Sequence, residues 1–120
     1  MPIRVLLVDD HELVRKGIKA LFNGSDWQIC GEAANGKEAV EKAVKLNPDL
    51  ILMDISMPVM NGIEATKQIR NLRPNAKIVM LTMHDSPQIA EQTKQAGADA
   101  CLVKSGGVED LLKSVSAVMK

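Results

Sequence analysis

The chain has 120 residues, the size of one compact domain, and 46% of them are hydrophobic, enough for a single core. Fifteen basic and fifteen acidic residues cancel, and with no tyrosine, one Trp (Trp27) and one Phe (Phe22) there is neither the basic surface nor the stacking platform that nucleic-acid binding needs. No apolar run approaches the roughly 20 residues of a membrane span, and "MPIRVLLVDD" lacks the form of a signal peptide, so a soluble, cytoplasmic protein is expected.

The first apolar run, "IRVLLV" (Ile3–Val8), reads as a strand that ends in two adjacent carboxylates, Asp9 and Asp10. Leu13, Val14, Ile18, Leu21 and Phe22 then fall on one helical stripe. "WQICGEA" (Trp27–Ala33) alternates, as a strand near a sheet edge does. Ala39, Val40, Ala43 and Val44 mark a second helix, followed by the strand "LILM" (Leu50–Met53). Ile63, Thr66, Ile69 and Leu72 mark a third helix, closed by Pro74, and "KIVML" (Lys77–Leu81) is the fourth strand. Ser86 is a predicted N-cap, with Pro87 at the first helical position and Gly97 as the stop. The stripe between them, Ile89, Ala90, Thr93 and Ala96, buries little area. "ACLV" (Ala100–Val103) is the fifth strand, and Val108, Leu111, Leu112, Val115 and Val118 line the last helix. Apart from "WQICGEA", the apolar runs are nearly continuous, which is the mark of parallel strands buried on both faces.

The resulting order is (βα)₅, a doubly wound parallel sheet with the flavodoxin-like strand order 2-1-3-4-5. Ligands in such sheets bind at the carboxyl ends of the strands, near the switch between strands 1 and 3. Those ends are occupied by Asp9 and Asp10, Asp54, Thr82 and Lys104. Three carboxylates and one ammonium sum to −2. Two unit charges about 4 Å apart interact by ~4 kcal/mol at a surface-like dielectric, so the empty cluster is strained and a hard divalent cation would neutralise it. Mg²⁺, or Mn²⁺ in its place, suits a site offering carboxylates, a backbone carbonyl, waters and a phosphate oxygen. The chemistry expected is phosphoryl transfer with Asp54 as nucleophile. Thr82 could then donate its hydroxyl to the phosphoryl oxygens, and Lys104 would offset their charge. The bland reading is that Asp10 only caps the helix starting at His11 and that Lys104 is only solvated. His11 and His84 read as exposed loop or first-turn residues. Cys30 and Cys101, which have neither CxxC nor zinc-site spacing, read as small buried hydrophobes.

At these residues the chain resembles the receiver domain of two-component response regulators along essentially its whole length, 1–120. The resemblance is carried by "VLLVDDH", "PDLILMDISMPVMNGIE", "IVMLT" and "GADACLVK". "VDDHELVRKGIKALF" and "LTMHDS" are most similar to NarL/FixJ-type regulators, whose output is a LuxR-type helix-turn-helix domain. The resemblance implies that Asp54 accepts a phosphoryl group from a phosphohistidine on a sensor histidine kinase. It implies Asp10 as a direct Mg²⁺ ligand, Asp9 as an outer-shell acid and Ser56 as the donor of a ligating backbone carbonyl. Thr82 and Lys104 match the switch hydroxyl and the phosphate-pairing lysine, and Pro58 and Gly62 the turn residues after strand 3. Such a domain is a self-catalysing phosphoacceptor switch rather than a conventional enzyme. Its switching surface is helix 4, strand 5 and helix 5, and its homodimers form through that face or through helices 1 and 5.

Two positions depart from the family pattern. Cys101 stands where the switch aromatic is usual, and Ser105 follows Lys104 where proline is usual. A cis bond before a non-proline residue costs about 2.5–4 kcal/mol, so a trans Lys104–Ser105 bond is favoured. DNA binding is expected only through an output domain beyond Lys120; the alternative is a stand-alone receiver acting through protein–protein contacts. A haloacid-dehalogenase-type phosphatase would need a second acid where Ser56 stands. An FMN binder would need a phosphate loop where "DDHE" stands. A phosphorylation-independent receiver would be expected to have lost one of the acids, the Thr or the Lys.

Overall fold

Side chains alternate faces along a strand, so a strand covered on both sides must be apolar at every position. The central strands β1 (Ile3–Val8), β3 (Leu50–Asp54) and β4 (Lys77–Thr82) meet that requirement over residues 5–8, 50–53 and 78–81, with their polar residues confined to the strand ends. In the computed structural model, which describes residues 3–23, 26–83, 86–103 and 108–119 and the side chains of all these except 108–112 and 119, Val5, Leu7, Leu50, Leu52, Val79 and Leu81 face one side. They pack there on Ile18 and Phe22 of α1 (Glu12–Phe22) and Val115 of α5 (Val108–Met119). Leu6, Val8, Ile51, Met53, Ile78 and Met80 face the other side, onto Ala39 and Ala43 of α2 (Gly36–Leu46) and Ala65 and Ile69 of α3 (Gly62–Leu72). The small alanines let α2 and α3 lie close to the sheet. All pairings are parallel, and the order is β2-β1-β3-β4-β5, as expected.

The strands run as read from the sequence, except that β3 and β4 each extend one residue, to Asp54 and Thr82. The edge strand β2 (Trp27–Ala33) is largely half-buried, as its alternation predicts. Although β5 (Ala100–Val103) is continuously apolar, it is half-buried along its length, because it forms the opposite edge and lacks a neighbour on one side. The helical stripes are narrower than the sequence pattern. Leu13 (83% exposed) and Leu72 (53%) fall in the first and last turns of their helices, and Val44 (40%) is rotated about 100° from buried Ala43. Ala90 is likewise exposed. Of the α5 stripe, Val115 is buried and Val118 half-buried, while Val108, Leu111 and Leu112 lie outside the described side chains. Cys30 and Cys101 are half-buried free thiols rather than fully buried ones.

Helix α4 (Pro87–Ala96) begins as predicted, with the Ser86 hydroxyl accepting from the Ile89 amide at 3.4 Å and Pro87 at the first position. Gly97 ends it at φ 106, a left-handed conformation that favours glycine. Only Thr93 and Ala96 of this helix are buried. Its C-terminal end is held by Arg70, which donates to Gly97 O from Nε at 3.0 Å and from Nη2 at 2.6 Å, and to Asp99 Oδ2 at 2.9 Å.

The loop from β3 to α3 is pinned by backbone. The Ile55 amide donates to Leu81 O at 3.1 Å, the Gly62 amide to Ile55 O at 2.8 Å and the Gly36 amide to Met60 O at 2.9 Å. Glycine is required at position 62 for space: a Cβ there would stand 2.3 Å from Asp54 O and 3.0 Å from Ile55 Cα.

Two outcomes are expected. Gly62→Ala should destabilise the domain by about 1–3 kcal/mol in chemical denaturation, the usual range for overpacking, and an unchanged midpoint would contradict the close approach to Asp54. Native-state hydrogen exchange should be faster in α4 than in α3, which buries Ala65, Thr66 and Ile69; equal protection would contradict it.

Candidate functional site

The register places the strand ends together. Val8 pairs with Met53, Asp54 with Leu81, and Thr82 with Val103, so the residues that close β1, β3 and β4 lie along one edge of the sheet. Asp54 and Thr82, the last residues of their strands, are both 5% exposed, and Asp9 is fully buried. Oxygens of Asp9, Asp10 and Asp54 and a ring nitrogen of His11 all lie within 4.8 Å of one another. The three acids expected to form one cluster therefore do so.

His11, read from the sequence as an exposed first-turn residue, is exposed but touches both neighbouring acids. Its Nδ1 lies 3.0 Å from Asp10 Oδ1 and 3.2 Å from Asp9 Oδ1. The helix N-cap is His11 and not Asp10, and no side-chain cap bond is made there. Instead the His11 amide donates to Asp9 Oδ1 at 2.9 Å, a turn closed by the acid two residues earlier. The sequence signal was present, since a histidine directly after two acids at a strand-to-helix turn cannot move far from them.

Asp9 is fixed through its backbone as well. Its amide donates to Ala33 O of β2 at 3.0 Å, and its carbonyl accepts from Arg15 Nη1 of α1. Arg15 Nε in turn donates to Glu32 Oε1 at 3.1 Å, Lys19 Nζ to Glu32 Oε2 at 3.0 Å, and Lys42 Nζ of α2 to Glu32 O. Burial alone would raise the Glu32 carboxyl, but the hydrogen bonds and charges of Lys19 and Arg15 outweigh it and hold Glu32 below its ordinary value. None of these partners was singled out from the sequence.

Ser56, two residues beyond Asp54, is exposed in the loop after β3. Further along that loop the Met60 amide closes a three-residue turn onto Pro58 O at 2.7 Å, with Val59 at φ 68 between them. A β-branched residue in the left-handed region costs on the order of 1–3 kcal/mol, and Val59 is also 79% exposed. Cys101 pairs in register with Met80 and packs against the α2–α3 side of the core. Lys104, Ser105 and the bond between them, like His84, lie outside the described residues.

The residues present fit a hard divalent cation. The donors are carboxylate oxygens, the type that Mg²⁺ prefers. Asp10 Oδ1 is withdrawn from solvent and has no hydrogen-bond partner among the described residues, since its contact with His11 is close but not aligned as a hydrogen bond. A buried carboxylate oxygen without a partner is costly, and a cation at this point would satisfy it.

The chain is similar to known proteins in sequence and fold. The response regulator receiver domain family matches residues 5–116. The response regulator protein VraR of Staphylococcus saprophyticus is 44% identical over 116 residues, which are 96% of this chain and 56% of that protein. The chain thus spans about half the length of the curated relatives it matches. A LuxR-family two-component response regulator from an Aurantimonas species superposes with a TM-score of 0.93 at 32% identity, over 99% of this chain and 86% of that one. A complex of CheX and CheY with BeF3 and Mg from Borrelia burgdorferi gives 0.93 at 30% identity, over 100% and 91%. Among the described residues no helix is long and apolar enough to cross a membrane. With its parallel 2-1-3-4-5 sheet and acids gathered at the strand ends, the chain belongs to the response regulator receiver domain family and is the receiver of a two-component response regulator.

Proposed function

We propose that Asp54 is the phosphoacceptor of this receiver and that a Mg²⁺ ion, or Mn²⁺ in its place, is held by Asp10, Asp54 and the Ser56 carbonyl, with Asp9 in the outer shell. The observation that carries this reading is the gathering of three carboxylates within one ligand sphere at the ends of adjacent strands. The chemistry a bound cation supplies is neutralisation of that cluster and of the charge on the transferring group.

The chain's own residues do the rest. An Asp54 carboxylate oxygen attacks the phosphorus of a phosphohistidine on a sensor histidine kinase. The new P–O bond forms as the P–N bond breaks, and the bonding pair stays on the departing imidazole nitrogen. Thr82, closing β4 on the neighbouring strand, donates its hydroxyl to a phosphoryl oxygen, and Lys104 offsets the remaining charge. Asp9 would orient water around a bound cation. Transfer and later hydrolysis are catalysed by the domain itself, so it is a switch and not a conventional enzyme.

We place this receiver, 1–120, in the cytoplasm as the input half of a longer regulator. The regulator's DNA-binding output would be of the LuxR type, a reading supported by the likeness to LuxR-family regulators. Phosphorylation would act through the α4–β5–α5 face, and homodimers would form through that face or through α1 and α5. Cys101, smaller than an aromatic ring, would alter the coupling between Asp54 and that face.

Incubation with acetyl phosphate and Mg²⁺ should add one phosphoryl group by intact mass. The addition should vanish in Asp54→Ala and on chelation of the metal. Absence of the adduct in the unaltered protein, or its persistence in Asp54→Ala, would overturn the assignment.

A further inference from the structure

Arg15 has no side-chain contact with the three carboxylates, yet it bonds the backbone carbonyl that links Asp9 to Asp10. Asp9 has two backbone polar groups. The amide is tied to β2 through Ala33 O, and the carbonyl accepts from Arg15 Nη1. Arg15 is itself anchored to β2 through Glu32 Oε1 at 3.1 Å, and its side chain is only 17% exposed. The backbone of Asp9 is therefore tied to the edge strand on both sides, directly through its amide and by way of Arg15 through its carbonyl, and the Asp9 carboxylate accepts from the His11 amide at 2.9 Å. Lys19 and Lys42 hold Glu32 in place from α1 and α2 without touching Asp9.

We propose that Arg15, held by Glu32, is the positioning residue of the acidic site: it fixes the Asp9 peptide against β2 and thereby sets the divalent-cation affinity of the carboxylates. This inference rests on the reading that the cluster takes Mg²⁺. The planar guanidinium suits the task, because its fork reaches a carbonyl with one nitrogen and a carboxylate with another. Lysine has a single ammonium and would not replace both contacts.

Charge and position predict opposite signs, which makes the test decisive. Arg15 is a cation beside the site. If its charge alone mattered, removing it would tighten Mg²⁺ binding. If it positions the acids, removing it weakens binding, by about tenfold or more where an outer partner of a ligand is lost.

The experiment is calorimetric titration of Mg²⁺ into the unphosphorylated protein and into Arg15→Gln, Arg15→Lys, Glu32→Gln and Lys19→Gln. It is run alongside hydrogen exchange at the His11 amide without metal. Weaker binding in Arg15→Gln, little rescue by Arg15→Lys, weaker binding in Glu32→Gln and faster His11 exchange in Arg15→Gln are expected. Lys19→Gln, which leaves Arg15 on both partners, should bind nearly as the unaltered protein does. Equal or tighter binding in Arg15→Gln would overturn the proposal, as would unchanged His11 exchange. Should Arg15→Gln unfold, Glu32→Gln decides, since it keeps the guanidinium and weakens its anchor, with Lys19→Gln as the control for the other contact of Glu32. Failure of the unaltered protein to bind Mg²⁺ would instead sink the metal reading, and the metal-free exchange measurement would still test the clamp.

Discussion

Mutual repulsion among Asp9, Asp10 and Asp54 is the constraint on which the rest of this structure depends. Their oxygens share a sphere in which any two lie within 4.8 Å. At such separations each pair opposes the fold by an amount on the order of a few kcal/mol at an effective dielectric of 20. The fold tolerates this because the acids stand on backbone that cannot retreat. Asp9 and Asp10 follow a strand buried at every position from Val5 to Val8, and Asp54 ends one buried from Leu50 onward. The loop behind Asp54 is closed by Gly62, whose missing side chain lets the backbone come up against the Asp54 carbonyl. Charge is thus concentrated where hydrophobic burial makes the scaffold stiffest, which is the arrangement the proposed cation site requires.

The same economy separates a rigid part of the molecule from a lighter one. Both faces of β1, β3 and β4 are packed, and α3 reaches the core through Ala65, Thr66 and Ile69. In contrast, α4 buries only Thr93 and Ala96 and is secured mainly at its far end, where Arg70 grips Gly97 and Asp99. Its near end follows Thr82, which borders the acids. A helix fastened at one end and thinly packed along its length is suited to respond to a change in charge at the other.

Much of this is legible in the sequence because the strands are continuous apolar runs and each ends in a chemically distinct residue. Asp54 and Thr82 directly follow such runs, which marks them as strand ends, and the doubly wound topology brings them together. What resists reading depends on third partners. Leu13 and Leu72 fit a helical stripe, but periodicity does not say where a helix outruns the sheet beneath it. β5 is as apolar as a central strand, so its composition does not show the half-burial that its edge position gives it. His11 reads as solvated because exposure and contact with acids are compatible for an imidazole. The clamp through Arg15 and Glu32 crosses from α1 to β2, a pairing that neither spacing nor composition reveals. Val59 gives no sign of a positive φ, since β-branched residues rarely adopt one.

In the proposed arrangement the acids form one cation site organised by the strand ends. A crystal structure of the protein with Mn²⁺, phased to show the anomalous scattering of the metal, tests it most directly. The account predicts a single peak bonded to Asp10, Asp54 and the Ser56 carbonyl, with Asp9 reaching the ion through water. No peak at saturating Mn²⁺, or a peak bonded to His11 and lacking Asp54, would contradict it.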